Sequence, residues 1–325
     1  MKRVLITGGA GFIGSNLTRE LLKTDQYHIT CIDNFDSFYS RHLKEHNIKG
    51  FLDNKNYNLI EGDIRNNSDL NKIWDVDIIV HLAAKAGVRQ SIQNPLIYQD
   101  VNVAGTHNIL EFAKYRKVKQ FIFASSSSVY GISPNIPWNE EEKLLPISPY
   151  ASSKLSDEML GHVYSHLHGI RFIALRLFTV YGPAQRPDLA IHKFFDLIMK
   201  KQPIPVFGDG NTIRDYTYID DIVKGIEAAI EYDSSDYEVI NLGNNTPISL
   251  NALIGSIENV CDEKAIINRQ SEQPGDVAIT YADITKAQKL LGYRPKMDLN
   301  DGLRLFYNWL NNTAAYANKE APITY

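Results

Sequence analysis

Hydrophobic and polar positions along this chain follow two alternating rhythms. Compact apolar runs rich in β-branched residues give way to longer stretches whose apolar positions recur every three or four residues. The runs at 2–7, 29–33, 57–61, 76–82, 119–125 and 170–177 read as buried strands of a parallel sheet, whose two covered faces favour near-continuous apolar sequence. Helical stretches at 12–22, 95–115 and about 150–168 lie between them, and a polar stretch at 34–56 reads as loop with a short helix. Strand and helix in alternation predict an α/β protein built on a doubly wound parallel sheet. After residue 178 the pattern is more mixed, with a helix at 190–200, strand-like pieces at 204–207, 213–218 and 238–243, and a late helix-turn in KAQKLLGYRP. Residues 1–178, with segments returning near 214–243, are therefore expected to form the larger domain. Residues 179–325 would mainly form a smaller, mixed α/β C-terminal lobe. The polar end after about Asn311 is expected to be poorly ordered.

The first strand runs into a glycine-dense turn. Gly9, Gly11 and Gly14 satisfy G-x-G-x-x-G, and Gly8, Gly11 and Gly14 satisfy G-x-x-G-x-x-G. Such spacing allows a tight turn and a backbone without Cβ atoms where a pyrophosphate must approach, with the following helix start holding the anion. Chance produces glycine patterns, but here strand, turn and helix occur in order, and the next strand ends in Asp33. An acid at that distance can bond both ribose hydroxyls and would repel a 2′-phosphate, so a Rossmann-type site for NAD rather than NADP is expected.

Composition narrows the function classes. The chain has 325 residues, 44% hydrophobic and 22% charged, with net charge −4, which gives no support to nucleic-acid or membrane-surface binding. No apolar run approaches the ~20 residues of a membrane span, and the N-terminus reads as a strand rather than a signal peptide. Cys31 and Cys261 are far apart and read as reduced structural thiols, with no metal site, which fits a cytoplasmic setting.

Further candidates stand at predicted strand ends. Ala83 to Ser91 should line the crevice, Arg89 either reaching a diphosphate or remaining a solvated loop residue. His81 reads as a satisfied core residue. Asp63 either lies at an adenine edge or caps the helix that starts at Asn67. Asn102 is expected to support the catalytic strand by hydrogen bonds, and Gly105 to permit close packing. The fifth strand opens into Ser125-Ser126-Ser127-Ser128-Val-Tyr-Gly131, four hydroxyls suited to a sugar. Tyr150 and Lys154, spaced i, i+4, share a helical face, where the ammonium would lower the phenol's pKa and fit it to act as a base. Taken alone, such a pair is usually a surface contact.

TGGAGFIG, the serine strand before VYG, and YxxxK together resemble the extended short-chain dehydrogenase/reductase family, particularly its nucleotide-sugar epimerases, over nearly the full length. The resemblance implies Ser126 bonding the reacting hydroxyl, Tyr150 as base and Lys154 on the nicotinamide ribose. It extends the NAD-contacting set to Phe12, Ile13, Asn34, Asp63, Ile64, Ala83, Lys85 and Asn102. It implies Phe207 beside uracil, Arg214 on the diphosphate and Asp276 on the uridine ribose, with Arg89 and Arg186 left to share the diphosphate. For Arg214 a salt bridge to Asp215 is the plainer alternative. It also implies a homodimer joined through helices around 95–115 and 150–168.

Relatives that divert the 4-keto sugar carry acids just after the serine of this strand, whereas here Ser127 and Ser128 stand there, which favours simple epimerisation. Thr179, Arg186 in YGPAQRPDLA, and QPGDVAITYAD resemble UDP-glucuronate 4-epimerases, with Gln273 standing where galactose enzymes commonly carry Arg. Ser127, Ser128 and Thr179 would hold a C6 carboxylate, and Thr280 would affect tolerance of a bulky 2-substituent. UDP-glucuronate is thus the expected substrate, ahead of UDP-glucose and UDP-N-acetylhexosamines. An oxidoreductase releasing its ketone and a non-catalytic NAD-binding protein are the remaining readings.

Overall fold

The structure, a computed structural model, describes residues 1–272 and 275–317. Its strands are β1 (Lys2–Thr7), β2 (Tyr27–Asp33), β3 (Tyr57–Glu61), β4 (Ile78–His81), β5 (Gln120–Ser126), β6 (Arg171–Leu177), β7 (Thr179–Tyr181), β8 (Ile204–Phe207), β9 (Ile213–Tyr218), β10 (Tyr237–Leu242), β11 (Pro247–Ser249) and β12 (Ile267–Gln270). Seven of them form one wholly parallel sheet in the order β10-β6-β5-β4-β1-β2-β3. Successive side chains of β1 serve opposite faces. Val4 and Ile6 pack in one apolar cluster with Leu17, Ile222 and Ile226, and Leu5 in another with Ile109, Phe121 and Tyr164. Helices Phe12–Leu21 and Ile219–Glu231 thus cover one face, while Gly105–Arg116 and Pro149–His168 cover the other. A sheet buried on both sides explains the near-continuous apolar strands. The expected doubly wound architecture is present.

Strand order reverses at β1, which pairs with β2 on one side and β4 on the other, and the carboxyl ends there frame a crevice. Residues after 178 add a mixed sheet, β11-β9-β7, and a parallel pair, β12-β8. Of the returning segment, helix Ile219–Glu231 and β10 join the large sheet's layers, whereas β9 belongs to the small mixed sheet.

One expectation about an element needs correction. The stretch at 95–115 is not one uniform helix: Pro95–Tyr98 leads into a π-helical segment, Gln99–Ala104, before Gly105–Arg116. A separate short helix, Val88–Gln93, also precedes it. Past Asn311, helix Leu299–Ala317 runs on to the end of the described residues, and the rest of the polar end lies outside them.

The long helix Pro149–His168 is set against the sheet by two devices. At Gly161 a Cβ would fall 2.2 Å from the Phe172 ring, so only a missing side chain permits this approach. Buried Arg176 on β6 forks onto the Glu158 carboxylate with bonds of 3.0 and 2.8 Å. Gly161→Ala is expected to lower unfolding free energy by about 1–3 kcal/mol through overpacking. The check is a lower urea midpoint at unchanged slope.

Candidate active site

The turn after β1 is shaped by close backbone approach. Gly8 has φ +70°, and a Cβ there would sit 2.9 Å from backbone atoms of Ala83; at Gly14 it would meet the Gly8 carbonyl oxygen at 2.5 Å. Helix Phe12–Leu21 begins with Gly11 as its N-cap, without a side-chain cap or an acid in its first turn. Its free N–H groups suit a diphosphate. Asp33 is buried and accepts from the Ala10 N–H at 3.1 Å and the Phe35 N–H at 2.8 Å. Burial pushes its carboxyl up, against the pull of nearby Lys44. A dinucleotide with a free ribose diol fits this cradle.

From that turn a cavity of about 510 Å³ runs to the ends of β4, β5 and β6. It brings together Gly8, Gly11, Phe12, Ile13, Gly14, Asp33, Asn34, Asp63, Ile64, Ala83 and Lys85 with Ser126, Ser127, Ser128, Tyr150, Lys154, Thr179 and Arg186. Asp63 caps no helix. Its carboxylate accepts from Asn34 at 2.9 Å and from Arg65, which holds it down at about 2. Asn102 does not line the cavity and does not bond β5. Its Oδ1 accepts from the Lys85 N–H at 2.8 Å, and its amide donates to the Lys85 carbonyl at 3.0 Å and Ser153 Oγ at 2.9 Å, tying the β4 loop to the long helix. Gly105 does permit close packing, with Ile64 where its Cβ would be.

The serine end also departs from expectation. Ser125 lines the cavity, but its hydroxyl turns back to the buried Glu158 carboxylate, leaving Ser126, Ser127 and Ser128 as the cavity-lining serines without that tie. Ser126 Oγ donates to Ser128 Oγ at 3.1 Å and accepts from its N–H at 3.2 Å. Lys154 Nζ points at the Ala124 carbonyl, 2.7 Å away, over the Phe123 ring, and burial lowers its pKa. The phenol of Tyr150 is pushed up by burial, and what pulls it back is the Ser126 hydroxyl and the Arg186 guanidinium rather than Lys154. A buried ammonium needs an acceptor, and the strand carbonyl supplies one. Arg186 itself pairs with Asp188 at 2.8 Å and lies 5.1 Å from the Phe38 ring centroid.

The remaining candidates gather apart from this cavity and engage one another. Arg89 stacks 4.3 Å from the Phe207 ring centroid and pairs with Asp276 at 2.7 Å, with the Arg214 charge beside them. Arg214 forms no salt bridge to Asp215, whose carboxylate instead accepts the N–H groups of Asn244, Asn245 and Ala282. Thr280 is buried, its hydroxyl accepting the Asp215 N–H at 3.3 Å, and does not reach the cavity. Gln273 lies outside the described residues. Lys44, Tyr39, Phe38 and Asp36 line the cavity but were not singled out, because they occur in a polar stretch without periodic signal.

The profile of the GDP-mannose 4,6 dehydratase family matches residues 5–306. The chain belongs to this family. UDP-glucuronate 4-epimerase of Thermodesulfobacterium geofontis is 41% identical over 94% of this chain and 95% of its own. UDP-glucuronic acid 4-epimerase of Bacillus cereus, solved with UDP-glucuronic acid and NAD, superposes with TM-score 0.91 and 39% identity, covering 96% of this chain and 99% of that one. UDP-glucose 4-epimerase of Thermotoga maritima gives TM-score 0.88 at 31% identity over 96% and 99%. Within the family the chain is an NAD-dependent nucleotide-sugar epimerase of the extended short-chain dehydrogenase/reductase type. Gly8→Ala, which forces a Cβ onto Ala83, is expected to cut retained NAD about tenfold or more, about 1.4 kcal/mol per decade. Assay of nucleotide released from the denatured protein checks this.

Proposed function

We propose that this UDP-sugar 4-epimerase interconverts UDP-glucuronate and UDP-galacturonate through a transient 4-keto sugar. The observation that carries the reading is the chemistry of the cavity wall: hydroxyls of Ser127, Ser128 and Thr179 and the guanidinium of Arg186 line the same cavity as Tyr150, and Arg186 acts on its phenol. The carboxylates among the described lining residues, Asp33, Asp36 and Asp63, are each engaged elsewhere, by backbone N–H groups, Lys85, and Arg65 with Asn34. A C6 carboxylate finds donors there, and no side-chain acid stands ready to drive elimination.

In this mechanism Tyr150 holds the proton of the sugar 4-hydroxyl while Ser126 orients that hydroxyl. NAD, when bound, supplies reversible hydride exchange at C4. Lys154 is the cation of the reacting pair and would hold the nicotinamide ribose. The 4-keto form of a uronic acid is a β-keto acid prone to lose CO₂. Donors that fix its carboxylate near the ketone plane keep the breaking C–C bond out of line with the carbonyl π system and suppress that loss. Arg89, Phe207, Arg214 and Asp276 form the uridine diphosphate end. Arginine suits it because its planar charged fork matches diphosphate oxygens. Residues 1–178 with the returning segment would then carry NAD, and 179–325 mainly the nucleotide sugar.

The purified protein, incubated with UDP-glucuronate without added NAD, is expected to form UDP-galacturonate with no more than incidental CO₂ or UDP-pentose. Preferential turnover of UDP-glucose or a UDP-N-acetylhexosamine, read by product analysis, would overturn the substrate assignment. Tyr150→Phe is expected to lower kcat about 10²–10⁴-fold, the usual contribution of a positioned base.

We also propose a homodimer joined through the helices that cover the β5 side. Met159, Val163 and Leu167, spaced four apart on Pro149–His168, are 51%, 45% and 64% exposed, and Leu96 and Tyr115 are 81% and 78% exposed. Such exposed apolar side chains favour burial against a second copy. The buried free thiols Cys31 and Cys261 fit work in the cytoplasm. Val163→Asp with Leu167→Glu is expected to halve the mass seen by light scattering; a monomeric wild type would refute the dimer.

A further inference from the structure

Behind the reacting pair lies a run of buried polar groups that the proposed mechanism does not use. Asp157 stands three residues beyond Lys154 on the long helix, fully buried, with neither carboxylate oxygen in a well-aligned hydrogen bond. Burial pushes its carboxyl up, and what pulls it back is first the Lys154 ammonium and then the Thr106 hydroxyl, which faces it without reaching ideal hydrogen-bond geometry.

The direction of the bonds leading there can be deduced. The N–H of Ala83 donates to Thr7 Oγ1 at 3.1 Å, and that of Leu82 is shared between Thr7 Oγ1 and the Thr7 carbonyl, each at 3.2 Å, so both lone pairs of the hydroxyl face donors. Thr7 must then donate its own proton to His81 Nδ1, 2.7 Å away. Burial keeps His81 neutral, pushing it down to about 3, so its remaining proton lies on Nε2 and goes to Thr106 Oγ1 at 3.0 Å. Thr106, accepting from His81, is left with a hydroxyl proton to direct at Asp157. Every group in the chain donates the same way, so the Asp157 carboxyl meets a donor, which favours its ionised form against the pull of burial.

The other charges around this place are accounted for. On the same helix are Tyr150 and Glu158. Glu158 is bonded by Arg176 of β6 and Ser125 of β5, so its oxygens are already engaged. From β4 comes neutral His81, from β5 the uncharged Ala124 carbonyl and Phe123 ring, and from the loop after β7 Arg186, which acts on Tyr150. Asp157 and Glu158 are the charges that favour the Lys154 ammonium against burial.

We propose that Asp157 is a positioning residue: held as acceptor by the chain from Thr7 through His81 and Thr106, it keeps the buried Lys154 ammonium charged behind Tyr150. The proposal rests on the reading of Tyr150 and Lys154 as the reacting pair. Removing the carboxylate leaves that ammonium with less to offset burial, so it loses its proton at lower pH. The NAD-containing enzyme is assayed from neutral to alkaline pH with the UDP-sugar it turns over. Asp157→Asn is expected to move the alkaline limb of kcat about one pH unit or more towards neutrality, the size of effect a neighbouring unit charge produces. KM and NAD content should hold. Thr106→Val should shift the limb the same way by less, and it decides the matter if Asp157→Asn does not fold. A limb that superposes on wild type in the folded variant overturns the proposal. Lys154→Met and Tyr150→Phe are run beside them: if either keeps wild-type kcat, the reacting pair itself is wrongly assigned.

Discussion

The ion pair between Arg176 and Glu158 fixes where the reacting helix lies on the sheet. Both residues are buried, and two charges taken from water hold together there only because the contact is a two-pronged fork and the spare acceptors are used. Ser125 takes one, so the end of β5 is fastened to the same carboxylate. Arg176 also donates to Tyr130 Oη at 3.1 Å, and Tyr130 in turn donates to Asn241 at the end of β10. A single polar knot therefore unites β5, β6, β10 and Pro149–His168. Breaking such a pair by removing one partner typically costs about 3–5 kcal/mol, because the other is left charged and dry. Tyr150 and Lys154 inherit their positions from it.

Against that fixed frame the cavity divides its chemistry by location. Carboxylates come from the end of β2 and the segments that follow β2 and β3, and hydroxyls with one guanidinium from the end of β5 and the segments that follow β5, β6 and β7. The division matters because a single ketone intermediate can epimerise, eliminate or decarboxylate, and the side chains around it determine which path is fast. Neutral hydroxyls orient without removing protons from carbon, and in the proposed mechanism this keeps the reaction at C4.

Much of the main sheet could be read from the residues because parallel strands buried on both faces announce themselves as apolar runs, and β3 matches its reading at both ends. The glycine turn was legible for a related reason: Gly8 and Gly14 occupy positions where a Cβ has no room. What escaped was governed by partners far along the chain. Ser125 and Ser126 are adjacent and chemically identical, yet Glu158 draws one hydroxyl inward while the other faces the cavity. The i, i+4 spacing of Tyr150 and Lys154 located both residues, but a carbonyl on β5 determines where the ammonium points. Arg89, Phe207 and Asp276 could each be named, whereas their contact with one another joins segments far apart in the sequence. The polar stretch containing Lys44 carried no periodicity from which a cavity wall could be inferred.

The π-helical turn at Gln99–Ala104 has an evolutionary consequence. It accommodates an extra residue within an otherwise α-helical run, and Asn102 sits within it, bonding the β4 loop and Ser153. Deleting one residue there would restore regular winding and rotate the N-terminal part of the run by about 100° relative to its C-terminal part. Asn102 would swing off its partners, so a length change of one residue, harmless in most surface helices, would here unhook the loop that borders the nucleotide.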